Sequence, residues 1–241
     1  MKTVLLVLML LTGVLGFTQS RWGFGLDGGI ANLSYNPSAE YTTYSPGYSG
    51  QLELYYETDI QKTFGLIVGF NGVLNASQLI FERTIAPTPT SENYDYTKVN
   101  SKFLYVGMPI LCVWHHDKFS IAGGVNISYL AGVTERVHQK YNYRVDTIIT
   151  DFDKPVYDRS GRKNYDLIDF GARLDLNYWV SPLLSIYLTA YQGLNNIDNL
   201  NDAENMKFTT ARIGVKINLV KDKRPEQLIP EEEVEEIEEV E

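Results

Sequence analysis

Seven ionisable residues, Asp27, Glu53, Asp169, Arg173, Asp175, Arg212 and Lys216, each stand between apolar or small neighbours rather than in polar surroundings. In "YDLIDFGARLDLNYW" the charges Asp169, Arg173 and Asp175 take odd positions and Ile168, Phe170, Leu174 and Leu176 take even ones. Charges of both signs on one face can pair with each other, which is the chemistry a buried ion network needs. Two other groupings invite a chemical reading. His138 has Ser160, Asp146 and Asp151 near it in sequence, the residue types of a nucleophile, a base and an orienting group. A histidine in a polar connection is ordinarily solvent-facing, so no catalytic residue is assigned and no enzyme is expected. His115 and His116 adjoin a tight turn and could ligate a metal, but a polar turn is the simpler account; no metal and no cofactor is assigned. No phosphate loop or nucleotide fingerprint occurs.

The elements that must position the seven charges are strands. "RWGFGLDGGIANL" puts Trp22, Phe24, Leu26 and Ile30 on one face and Arg21 and Asp27 on the other. "GQLELYYE", "FGLIVGFNG", "FLYVGMPILCVW", "FSIAGGVNISYLAG", "LLSIYLTAYQG" and "TTARIGVKINL" repeat the period of two, and with "YDLIDFGARLDLNYW" about eight strands are expected. No helical period of useful length follows residue 20. Between the strands, long connections such as "SQLIFERTIAPTPTSENYDYT" and residues 134–164 alternate with the tight "DIQK", "HHDK" and "VSP". In an antiparallel meander this gives one elaborate rim and one rim of turns. The expected fold is all-β: an eight-stranded antiparallel up-and-down transmembrane β-barrel with long extracellular loops and short periplasmic turns.

Polarity separates this from a soluble ligand-binding barrel or sandwich, which would turn its apolar face inward. A charge on the lipid side near the bilayer centre costs roughly 2 to 4 kcal/mol, so the seven charges are expected in the lumen as a network. Trp22, Trp114, Trp179 and Tyr178 lie near strand ends and are expected in the interfacial girdles.

Residues 1–20 read as a signal peptide, with Lys2 before the apolar run 4–17 and cleavage after Gly16 or Ser20. Residues 21–220 are the barrel and 221–241 an acidic tail, expected in the periplasm with both termini. The formal charge of -9 belongs to that tail, where nine glutamates fall between Glu226 and Glu241. There is no basic stripe for nucleic acid. Cys112 is the only cysteine, so no disulfide framework is available. Val234, Ile237 and Val240 repeat every third place in the tail and are candidate contacts for a protein partner, against the alternative of a solvated disordered segment. Tyr141, Tyr143, Phe152 and Tyr157 are candidate partner contacts on the outer rim. The expected partners are outer-membrane lipid and protein in the outer membrane or periplasm.

"FLYVGMPILCVW" with Pro109, "IAGGVNISYLAG", "DLIDFGARLDLNYW" and Gly214 resemble the small outer-membrane β-barrel family of Bacteroidota that includes PorT of the type IX secretion system. The likeness spans roughly residues 21–219, and it has Gly107 where that family often has Glu. It implies a non-catalytic role in assembly or operation of protein secretion; a surface adhesin or receptor is the alternative. Within "RIGVKINL", Arg212, Gly214, Ile217 and Leu219 resemble the signal by which insertion machinery recognises outer-membrane barrels, without the terminal Phe.

Overall fold

The computed structural model describes residues 20–36, 42–61, 63–88, 91–145, 148–198 and 205–219. Nine strands follow in chain order: β1 (Ser20–Asn36), β2 (Thr42–Gln61), β3 (Phe64–Thr88), β4 (Ser91–His116), β5 (Phe119–Val145), β6 (Ile148–Ser160), β7 (Ile168–Trp179), β8 (Leu184–Gly193) and β9 (Asn205–Asn218). Every pairing is antiparallel, and β1 bonds both β2 and β9, so the sheet closes on itself. The ring has eight members, because β6 and β7 share one place in it. β7 pairs with the lower half of β5, from Phe119↔Tyr178 to Tyr129↔Ile168, and β6 with the upper half, from Thr134↔Ser160 to Val145↔Ile148. Gly161–Leu167 interrupts what would otherwise be one strand.

The elaborate rim is built differently from expectation. β3 and β4 stay paired up to Thr88↔Ser91, so this long connection is a tall hairpin rather than a loop, while β5 and β6 stay paired up to Val145↔Ile148, the hairpin that the continued alternation of "KYNYRVDTIIT" predicts. Alternating segments such as "KYNYRVDTIIT" carry the strand period past the membrane, and the pairing continues with it. At the other rim, His116↔Phe119 closes over Asp117 and Lys118, with Asp117 at φ 49°, a left-handed conformation that Asp tolerates.

Period two decides the faces. Outward positions from Trp22 to Ile30, Phe64 to Leu74, Trp114 to Leu104, Phe119 to Tyr129, Tyr178 to Ile168, Leu184 to Ala190 and Leu219 to Ala211 contain no Asp, Glu, Lys or Arg. Leu26, Leu52, Phe70, Ile168 and Ile213 on that surface are each more than half exposed. On β4 the outward apolar run extends from Trp114 to Leu104, roughly 34 Å of strand at about 3.4 Å per residue. A tilt of about 40° reduces that to roughly 25 Å of height, the thickness of a barrel's lipid-facing band. The packed core is therefore the lumen, and its polar residues are buried inside it.

Parity also corrects one girdle residue. Trp179 follows outward-facing Tyr178 and so points inward, where it is buried with the Arg21 guanidinium 5.9 Å from its ring. Consecutive strand residues cannot share a face.

Candidate functional site

The middle of the lumen is a charged layer. Arg173 on β7 donates from Nη2 to Glu53 Oε2 on β2 at 2.5 Å and to Asp175 Oδ2 at 2.8 Å, and from Nε to Asp175 Oδ1 at 2.9 Å. Lys216 on β9 donates to Asp175 Oδ2 at 2.9 Å, with its ammonium 4.5 Å over the Tyr187 ring. Gln51 and Thr189 complete the shell by donating to Glu53 and Asp175 at 2.7 and 2.9 Å. Arg212 Nε lies 2.8 Å from Asp27 Oδ1, an ion pair set off the hydrogen-bond line. The other Asp27 oxygen accepts from Tyr187 at 2.6 Å, and Arg212 Nη2 donates to Gln51 at 2.9 Å. Six of the seven sequence-marked charges thus form one layer spanning β1, β2, β7 and β9. Asp169 stands apart, accepting from Tyr191 at 2.8 Å.

Above this layer lies an apolar and aromatic stopper. Phe103, Tyr105, Leu130, Tyr191, Ile197 and Phe208 are buried together, with Phe208 edge-on to Phe103 at 5.1 Å. The space left between stopper and charges, lined by residues such as Asn75, Asn126, Asp169 and Arg173, is about 10 Å³, no more than one water occupies. Phe103 and Tyr105 alternate with the outward Leu104 and Val106, so the signal for the stopper was the second face of an aromatic strand.

Below lies a third group that the seven charges did not include. Arg21 donates to Glu57, which His115 also contacts through Nε2 at 2.7 Å, and Arg21 reaches Asp59 at 3.4 Å. Glu57, Asp59 and His115 are close enough to hold a metal ion in principle, their ligand atoms lying within 4.8 Å of one another. Arg21 pairs with both Glu57 and Asp59, so an ion at those donors would have to displace its guanidinium. His115 and His116 cannot act together: His115 is buried in the lumen, while His116 is exposed and stacked on Trp114 at 5.6 Å.

Of the residues resembling an assembly signal, Arg212 and Gly214 face the lumen and Ile217 and Leu219 face outward, exposed by 49% and 58%. Gly214 sits where β9 meets β1, opposite Asp27, and a Cβ there would overlap the Leu26 carbonyl and the Asp27 side chain. A Cβ at Gly107 would likewise overlap Ser128, at the position where the resembled family often has Glu.

Backbone register locates the rim candidates. Tyr141 faces Phe152, Tyr143 faces Thr150 and Val137 faces Tyr157, all within the β5–β6 hairpin. Register also separates the catalytic candidates. Ser160 pairs with Thr134 and Asp151 with Asn142, each four residues from His138 along β5, roughly 14 Å apart in strand length. His138 instead lies edge-on to Tyr96 at 6.2 Å. Asp146, the tail residues Val234, Ile237 and Val240, and residues 1–19 lie outside the described residues.

No curated protein matches the sequence. Among solved structures, the chain is similar to Ail, the attachment invasion locus protein of Yersinia pestis, at 12% identity and TM-score 0.34 over 83% of this chain and 97% of that one. It is similar to Neisserial surface protein A at 11% and 0.37 over 83% and 98%. The outer membrane protease OmpT of Escherichia coli follows at 10% and 0.33 over 83% and 95%. Residues 17–199 match the model of the outer membrane protein beta-barrel domain, and the chain, a protein of the outer membrane embedded in its bilayer, belongs to that family.

Proposed function

We propose that the protein is a non-conducting, non-catalytic barrel that serves as an accessory or scaffold component of protein secretion or envelope assembly, in the manner of the PorT-like barrels it resembles. The observation that carries this reading is the packed lumen. With about 10 Å³ between stopper and ion layer, the lumen at that level has no room for a solute. What the barrel can offer a partner is surface: the β3–β4 and β5–β6 hairpins on one side of the membrane and residues 221–241 after β9. Short turns are periplasmic in such barrels, so the β9 end and the tail face the periplasm. In this reading the tail, through Val234, Ile237 and Val240, orders on a basic periplasmic protein.

Deleting the gene and comparing proteins at the cell surface with those in the periplasm tests the reading. Retention of secreted proteins in the periplasm supports it, and normal export of all of them contradicts it. The β5–β6 hairpin favours a second reading, a surface adhesin or receptor, because it sets Tyr141 opposite Phe152 beyond the membrane. Trimming residues 136–162 would then abolish binding to a host protein or glycan and leave export intact.

A further inference from the structure

We propose that the outer wall of the barrel holds one phospholipid acyl chain in a groove across β1, β2 and β3, more tightly than the lipid elsewhere around it. The groove has a volume of about 420 Å³ and lies between Trp22, Leu54, Tyr56, Thr58, Val68 and Phe70. Its depth follows from side-chain size. Pairing sets Leu54 opposite Phe70, Tyr56 opposite Val68 and Thr58 opposite Leu66, so the short Thr58 and Val68 stand between bulkier neighbours. Thr58 takes an outward place on β2 yet is only 4% exposed, whereas Phe70 at the far end of the groove is 66% exposed. The floor therefore lies below the crowns of its walls. On the β1 side Trp22 stands opposite Tyr56, with ring centroids 4.9 Å apart.

Position and polarity identify the occupant. The groove is continuous with the lipid-facing band, and its lining holds no Asp, Glu, Lys or Arg. From Leu66 to Phe70 it follows four residues of β3, roughly 14 Å of strand at about 3.4 Å per residue. A tilt of about 40° reduces that to roughly 10 Å of height, most of one leaflet's share of a band roughly 25 Å tall. Leu66 is the first outward residue after Phe64, so the leaflet is the one on the side of the short turns, periplasmic in such barrels. Trp22 and Tyr56 bring polar tips to the end of the groove near those turns, the level at which a chain joins its headgroup. An acyl chain gains no hydrophobic energy by leaving other chains, so close packing in a concavity is what holds it. The convex wall of a second barrel would meet only the crowns of Trp22 and Phe70.

The test is native mass spectrometry of the folded full-length barrel released from neutral detergent, titrated with dioleoyl phosphatidylethanolamine. The unsubstituted barrel is expected to take up one lipid ahead of any others. Val68→Trp fills the floor of the groove and is expected to bind that lipid roughly tenfold more weakly, the worth of about ten lost carbon contacts. Leu176→Trp, which adds the same ring to the outward face of β7 across the barrel, is expected to bind as the unsubstituted protein does. Heat-modifiable gel mobility confirms that each variant is folded, and Val68→Phe carries the test should Val68→Trp not be. Binding by the filled variant within twofold of the original would overturn the proposal, as would an equal loss in Leu176→Trp. Displacement of the lipid by glycerophosphoethanolamine at equal concentration would also overturn it, because the site would then select the headgroup. A species of twice the chain's mass that forms in place of the lipid adduct, and is lost in Val68→Trp, would overturn it in favour of a second copy.

Discussion

Replacing Arg173 with methionine removes one guanidinium from between two carboxylates while keeping most of the side-chain volume. Arg173, Glu53 and Asp175 have side chains exposed by only 1%, 0% and 0%, so no solvent is at hand to take over. The two carboxylates fare differently. Asp175 keeps Lys216 at 2.9 Å, whereas Glu53 keeps only the neutral amide of Gln51 at 2.7 Å. One buried charge is thereby left without a counterion, a loss of about 3 to 5 kcal/mol. If the missing counterion is the cause, removing the stranded charge should repair it. Arg173→Met combined with Glu53→Gln leaves only lost hydrogen bonds, about 1 kcal/mol each, and should recover roughly half of the deficit or more. Urea titration of the barrel in lipid vesicles, followed by tryptophan fluorescence and by heat-modifiable gel mobility, measures both variants. A single variant within 1 kcal/mol of the original, or a double variant no more stable than the single, would refute the pairing scheme.

Three more outcomes follow from the two faces and the seam. Leu26→Arg, at the centre of the outward face of β1, should cost about 2 to 4 kcal/mol in the same titration, and Trp22→Arg at the band edge about 1 kcal/mol or less. Gly214→Val should cost about 1 to 3 kcal/mol and lower the yield of compact, heat-modifiable protein, because its side chain overlaps β1 at the closure. His115→Ala leaves Glu57 its Arg21 partner, so it should destabilise less than Arg21→Met, which leaves Glu57 with His115 as its remaining described contact.

Much of this was legible in the residues because a barrel wall has a short code. Apolar residues every second place, with charges between them, identified the strands, the closed architecture and the inward side of Asp27, Glu53 and Arg173. Parity alone also carried information that the eye passes over: Trp179 looks like a girdle residue until Tyr178 is assigned outward. What the pattern could not convey depends on stagger between strands. Which cation meets which carboxylate, and that Asp169 is left to Tyr191, follow from register across the ring rather than from any one segment. The shift between Leu104 and Tyr105 in the β4–β5 ladder moves the inward positions of β5 from even to odd, from Leu130 to Val133. The β5–β6 hairpin was legible in the alternation that continues through "KYNYRVDTIIT", whereas the extension of β3 and β4 to Thr88↔Ser91 read as a loop by length.

The most direct test of a closed barrel that works through its surfaces is the conductance of the purified protein in a planar bilayer. Discrete openings should be absent, with current no greater than that of the bare membrane. Stable steps of pore size would mean that Phe103, Phe208 and the Arg173 layer do not seal the lumen, and the protein would have to be read as a channel.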